Sequence, residues 1–105
     1  FPEPEIASKV ETPIGALHPD LAWSDFRVLV EYEGDRHRTD GRVFANDLRR
    51  FDAFADVGWS AVRCTRSDLY GEPRRVLGSL TRRLRDRGWV APARLRLGTR
   101  PLAMP

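Results

Sequence analysis

The stretch Val28-Leu29-Val30-Glu31-Tyr32-Glu33 constrains the fold more than any other. It has the length and the β-branched and aromatic content of a strand, and it turns acidic without a break. Side chains alternate along a strand, so Val28, Val30 and Tyr32 share one face while Leu29, Glu31 and Glu33 share the other. A buried strand should not end with two carboxylates on one face. Whatever the domain does must account for them.

The neighbouring elements follow from pattern. Glu5 to Glu11 alternates loosely and reads as an edge strand, and Thr12-Pro13-Ile14-Gly15 reads as a turn. Leu17 to Trp23 is a second strand, joined by Ser24-Asp25 to a third over Phe26 to Glu33. The three form an antiparallel meander. Gly34 to Arg42 is a polar loop. Val43 to Val57 has helical spacing, with Phe44, Leu48, Phe51 and Ala55 in line and Phe54 beside them. Gly58 supplies the stop. Trp59 to Cys64 is a fourth strand, and 67–73 reads as a loop. Pro73 to Arg87 is a second helix, with Val76, Leu77, Leu80 and Leu84 on its apolar face.

The order β-β-β-α-β-α predicts an α/β domain. The strand after the first helix pairs parallel with the third, giving a mixed sheet with flanking helices. One domain is expected over 1–89. The segment 90–105 loses its periodicity and reads as a C-terminal tail. The chain starts with Phe1 and not Met, as expected for a piece of a longer protein. Phe1 to Glu5 lacks the basic start and apolar core of a signal peptide. No apolar run approaches the roughly 20 residues of a membrane span. Cys64 is the single cysteine of the 105 residues, so no internal disulfide is possible. It reads as a small core residue in a reducing, cytoplasmic setting.

Charge is unevenly placed. Residues 1–35 carry eight acids and two basic residues, whereas 36–105 carry sixteen arginines and seven acids. Arginine forks suit phosphate, although a solvated surface gives the same composition. The acids gather where the strands are. A short turn puts the second strand beside the third in a register open by a residue or two, so Asp20 can lie opposite the region of Glu31, and if it points to the same face then Asp20, Glu31 and Glu33 converge. Two carboxylates about 4 Å apart repel by about 4 kcal/mol at an effective dielectric near 20. Protonation, arginines or a divalent cation must offset that. Oxygen ligands favour Mg²⁺, Mn²⁺ or Ca²⁺ over zinc. A cation there can polarise a phosphodiester and activate water, with His37 as a base four residues past Glu33. The plain alternative is that both glutamates face solvent on the open side of a sheet. Arg49 and Arg50 are placed on the exposed or half-exposed side of the first helix, and Arg82 to Arg87 at a solvated helix end or a phosphate-contacting patch. Trp23, Trp59 and Trp89 are assigned to the core.

Four segments, PDLAW (19–23), VEYEGDRH (30–37), NDLRRFDAFADVGW (46–59) and VRCTRSDL (62–69), resemble one family. It is a bacterial domain-of-unknown-function family related to the very-short-patch-repair endonucleases, within the PD-(D/E)xK restriction-endonuclease-like superfamily. The resemblance runs from Pro2 to Trp89. It implies a restriction-endonuclease-like fold and a metal-dependent DNA endonuclease. Asp20 matches the first metal-binding aspartate, Glu31 the second acidic position, Glu33-Gly34 the family's acid-Gly pair and His37 the histidine after it. Asp47 and Arg50, then Phe54, then Gly58-Trp59, match its helix and the entry to the next strand, and Arg63 matches an arginine of that strand.

The implied catalytic set is Asp20, Glu31, Glu33 and His37. Mg²⁺ or Mn²⁺ is held by Asp20 and Glu31 with the Tyr32 carbonyl, and by Glu33 directly or through water. Arg36, Arg38, Arg49, Arg50 and Arg63 face DNA. In similar actinobacterial proteins the domain follows a winged-helix-like segment, and a double-strand cut would call for a homodimer. The sole lysine is Lys9, in the first strand. The superfamily's lysine role therefore passes to His37, an arginine or a second metal. Two rival readings are a non-catalytic nucleic-acid-binding or regulatory module with a degenerate nuclease site, and a protein-interaction domain.

Overall fold

A computed structural model describes residues 1–33 and 41–92. Six strands and three helices follow one another: β1 (Glu5–Ile6), β2 (Val10–Thr12), β3 (Gly15–Leu17), β4 (Leu21–Trp23), β5 (Val28–Glu33), α1 (Gly41–Asp56), β6 (Ser60–Thr65), α2 (Arg66–Tyr70) and α3 (Pro73–Asp86). The main sheet has the order β1-β4-β5-β6, and β2 and β3 form a separate hairpin. β1 and β4 pair antiparallel, as do β4 and β5, while β5 and β6 run parallel. The expected meander and crossover are both present.

The first two expected strands are each divided. Ala7, at φ 52°, breaks the first into β1 and β2. His18-Pro19-Asp20 breaks the second into β3 and β4, since Pro19 has no amide to give a ladder. Between β2 and β3, the Thr12 hydroxyl donates to the Gly15 carbonyl at 2.7 Å and closes the turn.

The sheet is covered on both faces. On one, Trp23, Val28, Val30, Val62 and Cys64 pack against Val76, Leu80 and Leu84 of α3. On the other, Val10, Ala22 and Leu29 pack against Phe54 of α1, with Val57, Trp59 and Ala61 at the margin. The alternation read in β5 holds: its even residues turn to α3 and its odd residues to α1.

Helix α1 is rotated from its expected setting. Among its described side chains Ala53 and Phe54 are buried, whereas Leu48 is 46% exposed and Ala55 is exposed. Among the residues whose side chains are described, the sheet-facing line runs Asp47, Arg50, Phe51, Phe54, so it begins with two charged residues. Arg50 of this line meets the acidic end of β5. In α3, Val76, Leu80 and Leu84 are buried but Leu77 is exposed. Trp23 is buried, while Trp59 and Trp89 are only half-buried at the edges of the two cores.

The segment 67–73, read as a loop, begins with a short helix. Thr65 is its N-cap and Asp68 its third residue, and each side chain bonds the other's backbone N–H. This capping box explains why the chain turns helical directly after β6. Beyond α3, Trp89 stacks against Phe1 with ring centroids 5.7 Å apart. Ala91 is buried, so the start of the expected tail stays on the body. Residues 93–105 lie outside the described residues.

Candidate nucleic-acid processing site

The acidic end of β5 is built from three directions. The β4–β5 register, in which Leu21 faces Val30, carries Asp20 to the level of Glu31 and Tyr32. There the Asp20 Oδ2 accepts the Tyr32 N–H at 2.8 Å. The backbone on either side of Asp20 is also tied down. Its carbonyl accepts from the Ala7 amide at 3.2 Å, Pro19 is fully buried, and the His18 carbonyl accepts from Arg50 Nη2 at 3.1 Å. The His18 ring lies against the Ala7 carbonyl. Asp20 is thus an exposed carboxylate on a fixed backbone.

Glu31 is buried, at 9% exposure. A buried carboxylate needs a partner, and Arg50 provides it. Arg50 Nε bonds Glu31 Oε1, and Nη2 bonds Oε2 at 3.4 Å, a two-point grip. The same guanidinium lies 5.4 Å from the centroid of the Phe54 ring. Arg50 therefore joins α1, β5 and the segment before β4. Glu33 is paired with Arg63 of β6, whose guanidinium covers the Phe51 ring at 4.5 Å. Glu31 and Glu33 face α1 and not open solvent, and arginines offset both charges.

Asp20, Glu31 and Glu33 thus lie at one end of the sheet but point to different partners: a backbone amide, Arg50 and Arg63. Among the described residues, no three acidic, histidine or cysteine side chains gather as a metal-binding group. Mg²⁺ does not require one, since it commonly rests on one or two carboxylates with water and substrate phosphate completing its shell. Asp20 is placed one peptide from Glu31, on the N–H of Tyr32. Arg49 is exposed on the outer side of α1. His37, Arg36 and Arg38 lie outside the described residues.

One feature of this end was missed by reading 67–73 as a loop. Asp68 is buried, and its carboxyl accepts from the Thr65 N–H and hydroxyl, both at 2.9 Å, and from Arg75 Nε at 3.0 Å. The Arg75 bond first, then the Thr65 bonds, holds its pKa down to about 2. The pattern Thr65-x-x-Asp68 was the signal for it. Burial pushes the nearby Cys64 thiol upward, so it stays a protonated core group.

No family model, curated protein or solved structure matches the chain.

Proposed function

We propose that this chain is a metal-dependent endonuclease domain, of restriction-endonuclease-like kind, that hydrolyses phosphodiester bonds in DNA. One observation carries the reading: the Asp20 carboxylate is fixed on the Tyr32 amide, beside Glu31, at the end of β5. Pre-set ligands of this kind cost no reorganisation when substrate arrives. Asp20 and Glu31 are the residues that would hold Mg²⁺ or Mn²⁺, with Glu33 acting through water. When bound, the ion supplies Lewis acidity toward a phosphoryl oxygen and lowers the pKa of water.

The chain's own residues have separate tasks. Tyr32 N–H and the buried Pro19 orient Asp20. Arg50 grips Glu31 and holds it in place. Arg63, over Phe51, brings positive charge to the same end, where the sequence has no lysine. His37 is the expected base. DNA is the expected partner, and the arginine-rich half of the chain suits it.

A second reading is favoured by the two ion pairs. Because Arg50 and Arg63 already neutralise Glu31 and Glu33, the same fold can bind nucleic acid without turnover. Nicking of supercoiled plasmid separates the two. Under the endonuclease reading the wild type nicks with Mg²⁺ or Mn²⁺ and not in EDTA, and Asp20→Ala abolishes nicking while keeping the wild-type circular dichroism. Cleavage retained in a folded Asp20→Ala protein sinks the site. No cleavage by the wild type with either ion, together with salt-sensitive DNA binding, selects the binding module.

A further inference from the structure

Strand β6 pairs only with β5 and forms the open edge of the main sheet among the described residues. Its outer side is a groove between α1 and α3. At the start of β6, Arg83 of α3 is half-buried, and its contacts are unusual for such a cation. Nη1 donates to the Ser60 hydroxyl at 2.7 Å and Nε to the Ser79 hydroxyl at 3.1 Å. No carboxylate pairs with Arg83 among the described residues. The other arginines of the groove are engaged differently: Arg63 with Glu33, Arg75 with Asp68, and Arg87 with the carbonyls of Phe26 and Gly58.

A half-buried guanidinium satisfied by neutral hydroxyls still lacks a counter-charge. The two serines leave a second resource. Each accepts a bond from Arg83, so each retains its own hydroxyl hydrogen for a further acceptor. Arg83 with Ser60 and Ser79 therefore offers its remaining Nη hydrogens and two hydroxyl donors to one anion, and Arg82 and Arg87 line the same hollow with Asp86, while Asp52 lines the adjoining one. Forked N–H donors with hydroxyls match the tetrahedral oxygens of phosphate. From this hollow a cavity of about 360 Å³ continues along β6 past Ser79 to Arg63 and Arg75. Ser60 and Thr65 stand about 16 Å apart along the strand, so the groove links the Arg83 end to the acidic end.

We propose that Arg83, Ser60 and Ser79 form a phosphate-binding subsite, and that it takes a backbone phosphate of a nucleic-acid strand lying along the β6 edge toward Arg63. The proposal rests on the nucleic-acid reading above for the source of the phosphate. It does not rest on cleavage, and it assigns the basic end of α3 a role apart from the Asp20 end.

The test is fluorescence anisotropy of a labelled 16-base-pair DNA duplex in EDTA, titrated at several salt concentrations. Arg83→Gln should bind roughly three- to tenfold more weakly at 0.1 M salt, with the log–log salt slope smaller by about one. The exposed Lys9→Gln protein, which loses the same charge elsewhere, should show neither change in full. A Ser60→Ala/Ser79→Ala protein should weaken binding with less change in slope. It also decides the matter if Arg83→Gln fails to fold.

Wild-type affinity and slope in a folded Arg83→Gln protein overturn the subsite. In a second arm, inorganic phosphate is titrated into ¹⁵N-labelled wild type. If the wild type binds no DNA, the proposed occupant is wrong. Phosphate shifts at Ser60 and Ser79 that vanish in Arg83→Gln then retain the subsite for a phosphate of another source, and their absence overturns it.

Discussion

Arg50 grips both oxygens of Glu31 and, with the same guanidinium, holds the carbonyl of His18 two residues before Asp20. One side chain thus pairs the buried acid of β5 and fixes the segment that presents Asp20. Removing it leaves Glu31 uncompensated in a mostly buried position. Arg50→Met should destabilise by about 2–4 kcal/mol, less than a fully buried pair because Arg50 is partly exposed. Adding Glu31→Gln should recover part of that loss. Urea denaturation of the two single variants and the double variant measures it, and additive losses contradict the pairing.

The buried face of α1 makes a second prediction. Phe54 is fully buried under the sheet while Leu48 is 46% exposed. Phe54→Ala should cost about 3–5 kcal/mol, and Leu48→Ala only about 0.5 kcal/mol. Equal losses in thermal or chemical denaturation would mean the helix sits in its other rotation.

Asp68 predicts a pH dependence. Its folded pKa of about 2 lies below the ordinary carboxylate value, which is about 4 in an unfolded chain. A depressed acid contributes its stability in full above the unfolded value and loses it as pH falls toward the folded value. The wild type should therefore lose melting temperature between about pH 4 and pH 2 more steeply than Asp68→Asn. The difference between the two proteins should be largest and constant above pH 5 or so. A constant difference throughout the acid range would contradict the Arg75 and Thr65 bonds.

Gly58 ends α1 at φ +87°, and a β-carbon there would meet Arg27 Nη1 at 3.3 Å. Gly58→Ala should cost about 1 kcal/mol or more from backbone strain. The neighbouring exposed Ala55→Gly should act through helix propensity alone, at about 1 kcal/mol or less. Circular dichroism melts of the two variants test this ordering.

The fold was legible where one period dominates. The alternation of 28–33 gave both faces of β5, and α3 and the parallel β5–β6 pair followed from helix spacing and the crossover. What failed failed for local reasons. Ala7 in a left-handed conformation leaves no trace in a hydrophobic pattern, so the division of the first strand was invisible. The rotation of α1 was missed because Phe44, Leu48, Phe51 and Ala55 make a convincing apolar line. The packed line instead includes the half-buried Arg50, held there by Glu31 and the His18 carbonyl. That pairing joins residues far apart in sequence, and composition names arginines as one remedy for crowded acids without saying which arginine. Thr65-x-x-Asp68 is a legible capping pattern, but Gly71 and Pro73 in the same segment favour a loop.

The parallel contact between β5 and β6 has a kinetic side. Antiparallel β2 and β3 meet across a two-residue turn, whereas β5 and β6 meet only after all of 34–59 has been folded back. Hairpins and single helices form in microseconds, but closing a long segment loses chain entropy before any contact repays it. The slow event in folding is therefore the arrival of β6, with α1 docked beneath it, on a β5 already paired to β4. Until then Leu29 lacks the cover of Phe54, and the carboxylates of Glu31 and Glu33 on the same face help keep one unfolded chain from sticking to the next.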